Sequence, residues 1–570
     1  MILEFSSWQG YSICLVLSCL NIFSSKGNIL NLTLILLKKP TKYLILSKLK
    51  IYINHKLVFK QLFLFIIFST PVYSVNMSVC VVGGGFAAVI GARVCQSNNL
   101  QVTIINKQSS PGGLWTGSPN EVGIWNSLKT NDSKFIMSFS DFEWNSSDPD
   151  FPTAAQVLSY LNSYIDHHNL RENFLNNCFV TSVSKISEKF LVKWEDSNKT
   201  QFEQIFDYVI IATGRFARPT NPLKNTSEFK GEILHGAYYR EPSSFKNKKV
   251  VTIGKSFTGS DIGAELVETA ESVTQIYRKP YFCIPRHIQE LPYDFWFYHL
   301  SLHDAGVGYL NSPYQCGQFG KMVLDLAGNP SQYHPDWEID PSTIYTEFYG
   351  FTSHTELYFE SVKQRKINCV KGEAKELCSN GVILTDGRVI EADSIILGTG
   401  YTSNYDFLSD ELKNILQYNQ NDGLMTTCMY RSVFHPDIKG LGFVGAYATD
   451  CPGRFELQAE IAVRFLLNTL ELTEEDMRKG VKEEEHIRQN LRTYPWPYDF
   501  YGYMRDCFRV LRMEFDFQFI NEELKFANGP MIPFFFFLER PGQKDRAQRA
   551  VEEIKRLYPD YDFSLVQKIL

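Results

Sequence analysis

Residues 78–91 read SVCVVGGGFAAVIG. The apolar run Ser78–Val82 suits a buried parallel strand. The turn after it, Gly83-Gly84-Gly85-Phe86-Ala87-Ala88, has the spacing G-x-G-x-x-A. In that spacing Gly83 permits a tight turn, Gly85 lets the backbone approach a pyrophosphate, and Ala88 keeps the next helix close to the strand. The helix then aims its free N-terminal amides at the phosphates. A second strand, Gln101–Ile105, ends at Asn106, where a dinucleotide site usually carries an acid for the ribose hydroxyls. Asn106 can bond a hydroxyl, but without charge assistance.

The pattern recurs downstream. The run Lys249–Ile253 reads as a strand and leads into Gly254-Lys255-Ser256-Phe257-Thr258-Gly259. Here Ser256 replaces the middle glycine, and its hydroxyl can bond a phosphate oxygen directly. The following SDIGAELVETA is amphipathic, with Ile262, Leu266 and Val267 on one side of a helix. A further strand, Val273–Tyr277, ends in Arg278-Lys279. An NAD site carries an acid at that place, whereas two cations suit a 2′-phosphate, with Arg binding it bidentately. Standing alone the pair would read as a solvated basic turn; at the end of this strand it points to NADPH.

These cradles need elements to hold them, and the chain supplies candidates in order. Pro111-Gly112-Gly113-Leu114-Trp115 is either a turn with a core anchor or a segment that passes a bound ring. Ser127-Leu128-Lys129-Thr130-Asn131 leads into an aromatic stretch. Asp207–Gly214 (DYVIIATG) is a strand closing on Ala212-Thr213-Gly214, and 394–401 (SIILGTGY) closes on Gly398-Thr399-Gly400. Between the two glycine turns stands Phe229-Lys-Gly231-Glu-Ile-Leu-His235-Gly-Ala-Tyr-Tyr239, the pattern F-x-G-x-x-x-H-x-x-x-Y. Glu456-Leu457-Gln458 opens a late helix, RFELQAEIAVRFL.

As an ordered set, these motifs resemble the flavin-containing monooxygenases over about residues 78–470. The related Baeyer–Villiger enzymes carry Trp where Tyr239 stands. The resemblance implies FAD on the first turn and NADPH on the second, with O2 and a small-molecule amine or sulfide as the other reactants. It implies oxygenation of a soft nitrogen or sulfur through a flavin C4a-hydroperoxide. Gly113, Leu114, Trp115, Thr130, Thr213, Gly214 and Gly400 would then line the cofactors. Asn131 would be the catalytic amide beside flavin and nicotinamide. Without the resemblance, Asn131 is a turn former before Asp132, and Asn131-Asp132-Ser133 is a glycosylation sequon. His235 reads as a structural residue of the hinge between the two cofactor domains. The departures from the family pattern are Ala88, Asn106 and Ser256.

Composition narrows the alternatives. Lys plus Arg number 57 against 63 Asp plus Glu, a net charge of −6, which argues against a nucleic-acid partner. Aromatics make up 14%, with 43 Phe and 30 Tyr, suiting a protein that walls in planar rings. The 12 Cys include no Cys-x-x-Cys pair, which excludes the disulfide reductases and the common zinc sites. No metal set is evident. Two other functions stay open: a Baeyer–Villiger or amine N-hydroxylating relative, and a weakly active nucleotide-binding regulator.

The fold class is α/β, with two Rossmann-like domains, the second inserted in the first, and a mostly helical C-terminal extension. The FAD domain is expected at 78–220 and again at 390–470, the NADPH domain at 221–389, and the extension at 471–570. Thr473 with Asp476 reads as a capping box, 543–558 as a surface helix, and Phe534–Phe537 as a core plug. The aromatic-rich stretch 285–355 could shape a substrate entrance, and a homodimer is compatible with either unaligned part. Residues 1–77 read differently, with no acid between Glu4 and Glu121 and no clean periodicity. They are expected to be an upstream sequence before a true start near Met77, with a cytoplasmic protein. The alternative is a signal-like or membrane-associated segment around QLFLFIIF at 61–68, too short to span a bilayer.

Overall fold

A computed structural model describes residues 2–8, 11–16, 28–38, 42–53 and 77–559, apart from 119–120, 301–312, 347–348, 351–353, 447–450, 491–499, 514 and 527–528. The chain divides into two units, Met1–Val75 and Asn76–Leu570. The first holds an antiparallel sheet in the order β1 (Ile2–Trp8), β2 (Tyr11–Val16), β3 (Asn28–Lys38) and β4 (Lys42–Ile53). No strand periodicity is legible there, because runs such as NILNLTLILLK place apolar residues on consecutive positions and hide the period of two. The 61–68 run lies outside the described residues.

The second unit contains two parallel sheets. The first has β5 (Ser78–Val82) at its centre, with β6 (Gln101–Ile105) and β7 (Phe174–Leu175) on one side. On the other side lie β8 (Tyr208–Ile211) and the late β16 (Leu441–Phe443). Helix α1 (Phe86–Ser97) links β5 to β6 and is buried from Phe86 to Cys95, and α2 (Ala154–His167) precedes β7. Small residues allow this: a Cβ on Gly91 would lie 3.6 Å from Ile210. Helix α4 (Pro452–Leu466) packs against α1.

The second sheet runs β10 (Glu232–His235), β14 (Ser394–Leu397), β11 (Lys249–Ile253), β12 (Ser272–Tyr277), β13 (Ile367–Lys371). Its crossover helix α3 (Phe257–Leu266) follows β11. The four buried residues of β14 pair with β10 and β11, so this sheet runs to Leu397. Two crossings meet where β9 (Arg218–Pro219) pairs with β15 (Tyr401–Thr402). The Thr220 amide donates to Gly400 O at 3.0 Å and its hydroxyl to Thr399 O at 2.8 Å.

The C-terminal part is largely helical, with helices at Glu474–Asn490, Phe500–Leu511 and Gln543–Leu557. Thr473 and Asp476 form the reciprocal hydrogen bonds of a capping box. Phe534, Phe535, Phe536 and Phe537 are all buried. This part wraps residues 133–150. Gln543 Nε2 donates to Ser140 O at 2.6 Å, Arg549 pairs with Glu143 at 2.7 Å, and Tyr558 donates to Asp150 at 2.6 Å. Behind the first sheet Arg93, 5% exposed, lies 3.0 Å from Asp141 and 3.7 Å from Glu456, and donates to Tyr164 at 3.0 Å. Glu456 also accepts from the Ser140 amide and hydroxyl. No metal-ligating cluster occurs among the described residues, nor a helix long and apolar enough to cross a membrane.

Candidate dinucleotide and active site

Both glycine turns sit at the carboxyl ends of their central strands, where open α/β sheets bind ligands. Gly83 has φ +132°, and a Cβ there would lie 2.3 Å from Ala212 O, so the turn can close on β8 only with glycine. Thr213 stands beside it, and its buried Oγ1 has no hydrogen-bond partner. The second glycine segment folds onto the first. The Gly112 amide donates to Gly84 O at 2.8 Å, and a Cβ on Gly113 would lie 2.9 Å from the Gly85 Cα. The structure thus brings Gly83, Gly85, Gly113 and Thr213 together, with Ala88 buried one helical turn on. Leu114 and Trp115 continue on the short helix Gly113–Thr116, both half-buried. Gly214 and Gly400 have φ +73° and +88° and would carry a Cβ into open space.

Asn106 stands at the end of β6 as expected, but its carboxamide is committed to its own loop. Nδ2 donates to Gln108 O, Ser110 O and Asn176 Oδ1 at 2.9–3.1 Å, and Oδ1 accepts from the Gln108 amide. A shorter, neutral side chain can be saturated by nearby backbone where a ribose-binding acid would project.

The second turn repeats the geometry. A Cβ on Gly254 would meet Gly398 O at 2.4 Å, and one on Gly259 would meet Gly254 O at 2.2 Å. Ser256 is the exposed N-cap of α3, while the Thr258 methyl packs on the backbone of Gly236. Arg278 and Lys279 are exposed beyond β12, and Arg278 lies 3.7 Å from Glu373. His235 ties this domain to the return crossing. Its Nδ1 accepts from the Ala237 amide and its Nε2 faces Gly400 O, each at 3.1 Å. Burial lowers its pKa to about 4, so the ring is neutral at pH 7.

Asn131 lies on a loop that residues from the inserted stretch pin from the other side. The Ser133 amide donates to the fully buried Asp294 at 2.5 Å, and Tyr293 donates to Asp132 at 2.5 Å. Arg286 donates to Thr130 O at 3.1 Å and Lys129 O at 3.3 Å. Burial pushes the Asp294 carboxyl up to about 7. Asn131 Oδ1 and Thr130 Oγ1 are buried with no hydrogen-bond partner. Phe139, on the stretch that follows, stacks on Phe86 at the start of α1, 5.4 Å between centroids. The Thr213 oxygen beside the first glycine turn, and the Thr130 and Asn131 oxygens on this loop, fit ligands that bring their own donors.

Sequence reasoning missed three of these anchors: Asp294, Arg286 and Arg240. Arg240 donates to Gly117 O, Ser118 O, Glu121 O, Ala237 O and Tyr239 O at 2.6–3.2 Å, lacing the loop after Trp115 to the second domain. Its place directly after Tyr239 was the one available signal.

Two parallel sheets, each with a glycine turn at the end of its central strand, are the architecture of a protein with two Rossmann-like dinucleotide-binding domains. The chain belongs to the flavin-binding monooxygenase-like family, whose model matches residues 76–558. Flavin-containing monooxygenase 3 of Oryctolagus cuniculus is 25% identical over 509 residues, covering 83% of this chain and 91% of the relative. Dimethylaniline monooxygenase [N-oxide-forming] 4 of Homo sapiens is 24% identical, covering 83% and 86%. Among solved structures, cyclohexanone monooxygenase of Rhodococcus sp. Phi1 bound to NADP+ shares the fold with TM-score 0.53 and 17% identity, over 73% of this chain and 90% of that one. S-allyl-L-cysteine S-oxygenase of Allium sativum does so with TM-score 0.53 and 18% identity, over 86% and 97%. The protein is a flavin-binding monooxygenase acting on a small molecule.

Proposed function

We propose that this monooxygenase oxygenates a soft nucleophilic nitrogen or sulfur atom, as an N,N-dimethylaniline-type enzyme consuming NADPH and O2. The observation that carries the reading is the Asn131 carboxamide, whose buried Oδ1 lacks a partner on a loop pinned by Asp294, Tyr293 and Arg286. Bound FAD and NADPH supply the hydride and oxygen chemistry. What the chain adds is position and shelter. Asn131 can accept with Oδ1 and donate with Nδ2, so one side chain can orient two neighbouring ligand groups. Phe135, Phe139 and Phe295 are buried behind the loop and keep water from it.

A lone pair on nitrogen or sulfur attacks without help from a protein base. Two carboxylates beside Asn131 are accordingly spent on structure: Asp132 on Tyr293, and Asp294 on the Ser133 amide. Curated relatives named for N-oxide formation support the same chemistry. Tyr239 is fully buried against Trp125 and Phe245, at the position where the Baeyer–Villiger relatives carry Trp.

The full-length protein, loaded with FAD and given NADPH in air, is offered a tertiary amine, a thioether or a cyclic ketone. Product analysis is expected to find the N-oxide or the sulfoxide and no lactone. Lactone from the ketone, with neither other product, would overturn the assignment in favour of Baeyer–Villiger chemistry.

A further inference from the structure

Lys255 is the second residue of the loop Gly254–Gly259, between the end of β11 and the first turn of α3. Its side chain does not reach solvent: the residue is 1% exposed, and Nζ is buried without a hydrogen-bond partner. The ammonium instead lies over the face of Trp337, 3.1 Å from the ring centroid, and 5.2 Å from the ring of Tyr277. A buried cation without an anion is costly, and a ring face offsets only part of that cost.

The missing charge has an obvious place. Tyr277 closes β12, and the next residue is Arg278. The ion pair Arg278 makes among the described residues is a long, exposed contact with Glu373, 3.7 Å away, a kind of pair worth little. A buried ammonium on one side and an exposed guanidinium on the other thus flank the strand end where an NADP-type cofactor carries its 2′-phosphate.

We propose that Lys255 is a ligand of the NADPH 2′-phosphate, acting with Arg278 and held on the indole of Trp337 until the cofactor arrives. The inference rests on the reading that the 2′-phosphate lies at the end of β12. Trp337 is positioned for such a part. It ends the short turn Pro335–Trp337, which His334 caps by accepting from the Asp336 amide at 3.2 Å. It is fully buried and meets Tyr277 edge-on, 6.1 Å between centroids, so a ring face is what it offers Lys255. Four rotatable side-chain bonds let the Lys255 head leave the ring for a dianion near Tyr277. Burial also holds the ammonium down to about 7, and an arriving dianion would draw it back up.

The test is equilibrium binding of NADP+ and NAD+ to the full-length, FAD-loaded protein, with no turnover involved. Lys255→Met should weaken NADP+ by about 10- to 100-fold and leave NAD+ unchanged, the loss expected for one charge-assisted contact. Lys255→Gln, shorter and polar, should do the same and guards against a packing defect in the first variant. Arg278→Ala should also lower the preference. Tryptophan emission should change on binding NADP+ but not NAD+, and Trp337→Phe should abolish the change.

If both Lys255 variants shift the two nucleotides alike, or shift neither, while Arg278→Ala still lowers the preference, Lys255 is only a clamp and the inference fails alone. If no variant moves the preference, the placement of the 2′-phosphate fails with it.

Discussion

Asn131→Ala keeps FAD bound but turns NADPH consumption into peroxide formation. The glycine turn proposed for the first dinucleotide is built from Gly83, Gly85, Gly112 and Gly113, on a segment separate from the Asn131 loop. Truncating the side chain removes an unpartnered acceptor and its amide donor from a loop otherwise fixed by Asp294, Tyr293 and Arg286. Loss of one preorganised polar contact at a reacting centre typically costs about 10²–10³ in rate. Oxygenated product should therefore fall about 100-fold, with peroxide rising to nearly one per NADPH. Paired assays of peroxide and product, with flavin absorbance for occupancy, check this; unchanged coupling would remove Asn131 from the account. Glycosylation at the overlapping sequon does not compete, because Asp132 and Ser133 are buried at 2% and 0% exposure.

The second large effect is on stability. Arg93→Met strips the cation from a buried set made of Glu456, Asp141, Tyr164, Tyr160, His168 and Ser140. Removing one partner of a buried pair costs about 3–5 kcal/mol. The size should depend on pH, and the sign follows from Glu456. Burial raises its carboxyl to about 7, partly offset by Arg93, so its folded pKa exceeds the ordinary value of 4.5. A raised carboxyl pKa means the folded state prefers the proton. Its ionisation therefore erodes stability as pH rises from about 4.5 to about 7, and no further. Without Arg93 the pKa climbs higher and the erosion extends upward. The variant should lose more stability at pH 8 than at pH 5.5, where Glu456 is protonated in either protein. His168, lowered to about 4 first by burial and also by Arg93, is neutral at both values in the unaltered protein; losing Arg93 lets it rise, which favours the variant only at the lower pH and so acts in the same direction. Denaturant unfolding at the two pH values measures it; an equal loss at both would show that Glu456 does not sense Arg93.

Much of this architecture was legible in the amino-acid order because glycine spacing and apolar runs are local signals. Gly83 and Gly254 mark close backbone approaches that no other residue permits, and DYVIIATG and SIILGTGY are strands by composition alone. What was not legible is pairing over distance. That β14 joins the second sheet depends on its neighbours β10 and β11, not on its own residues. Asp294 and Arg286 hold the Asn131 loop from more than a hundred and fifty positions away, inside a stretch with no recognisable motif. Asn106 shows a subtler limit: it follows the end of β6, but nothing in the sequence tells that backbone groups of its own loop bond its amide. Lys255 hid for the opposite reason, since a lysine in a phosphate-binding turn looks solvated until its burial is known.

We expect the chain to insert oxygen from O2 into a small molecule at the expense of NADPH. The direct measurement is turnover of the FAD-loaded protein with a tertiary amine or thioether under ¹⁸O2, following the label by mass spectrometry. One labelled oxygen should appear in the product for each NADPH oxidised, with little peroxide. NADPH oxidation that leaves the product unlabelled and sends all the label to peroxide would contradict it.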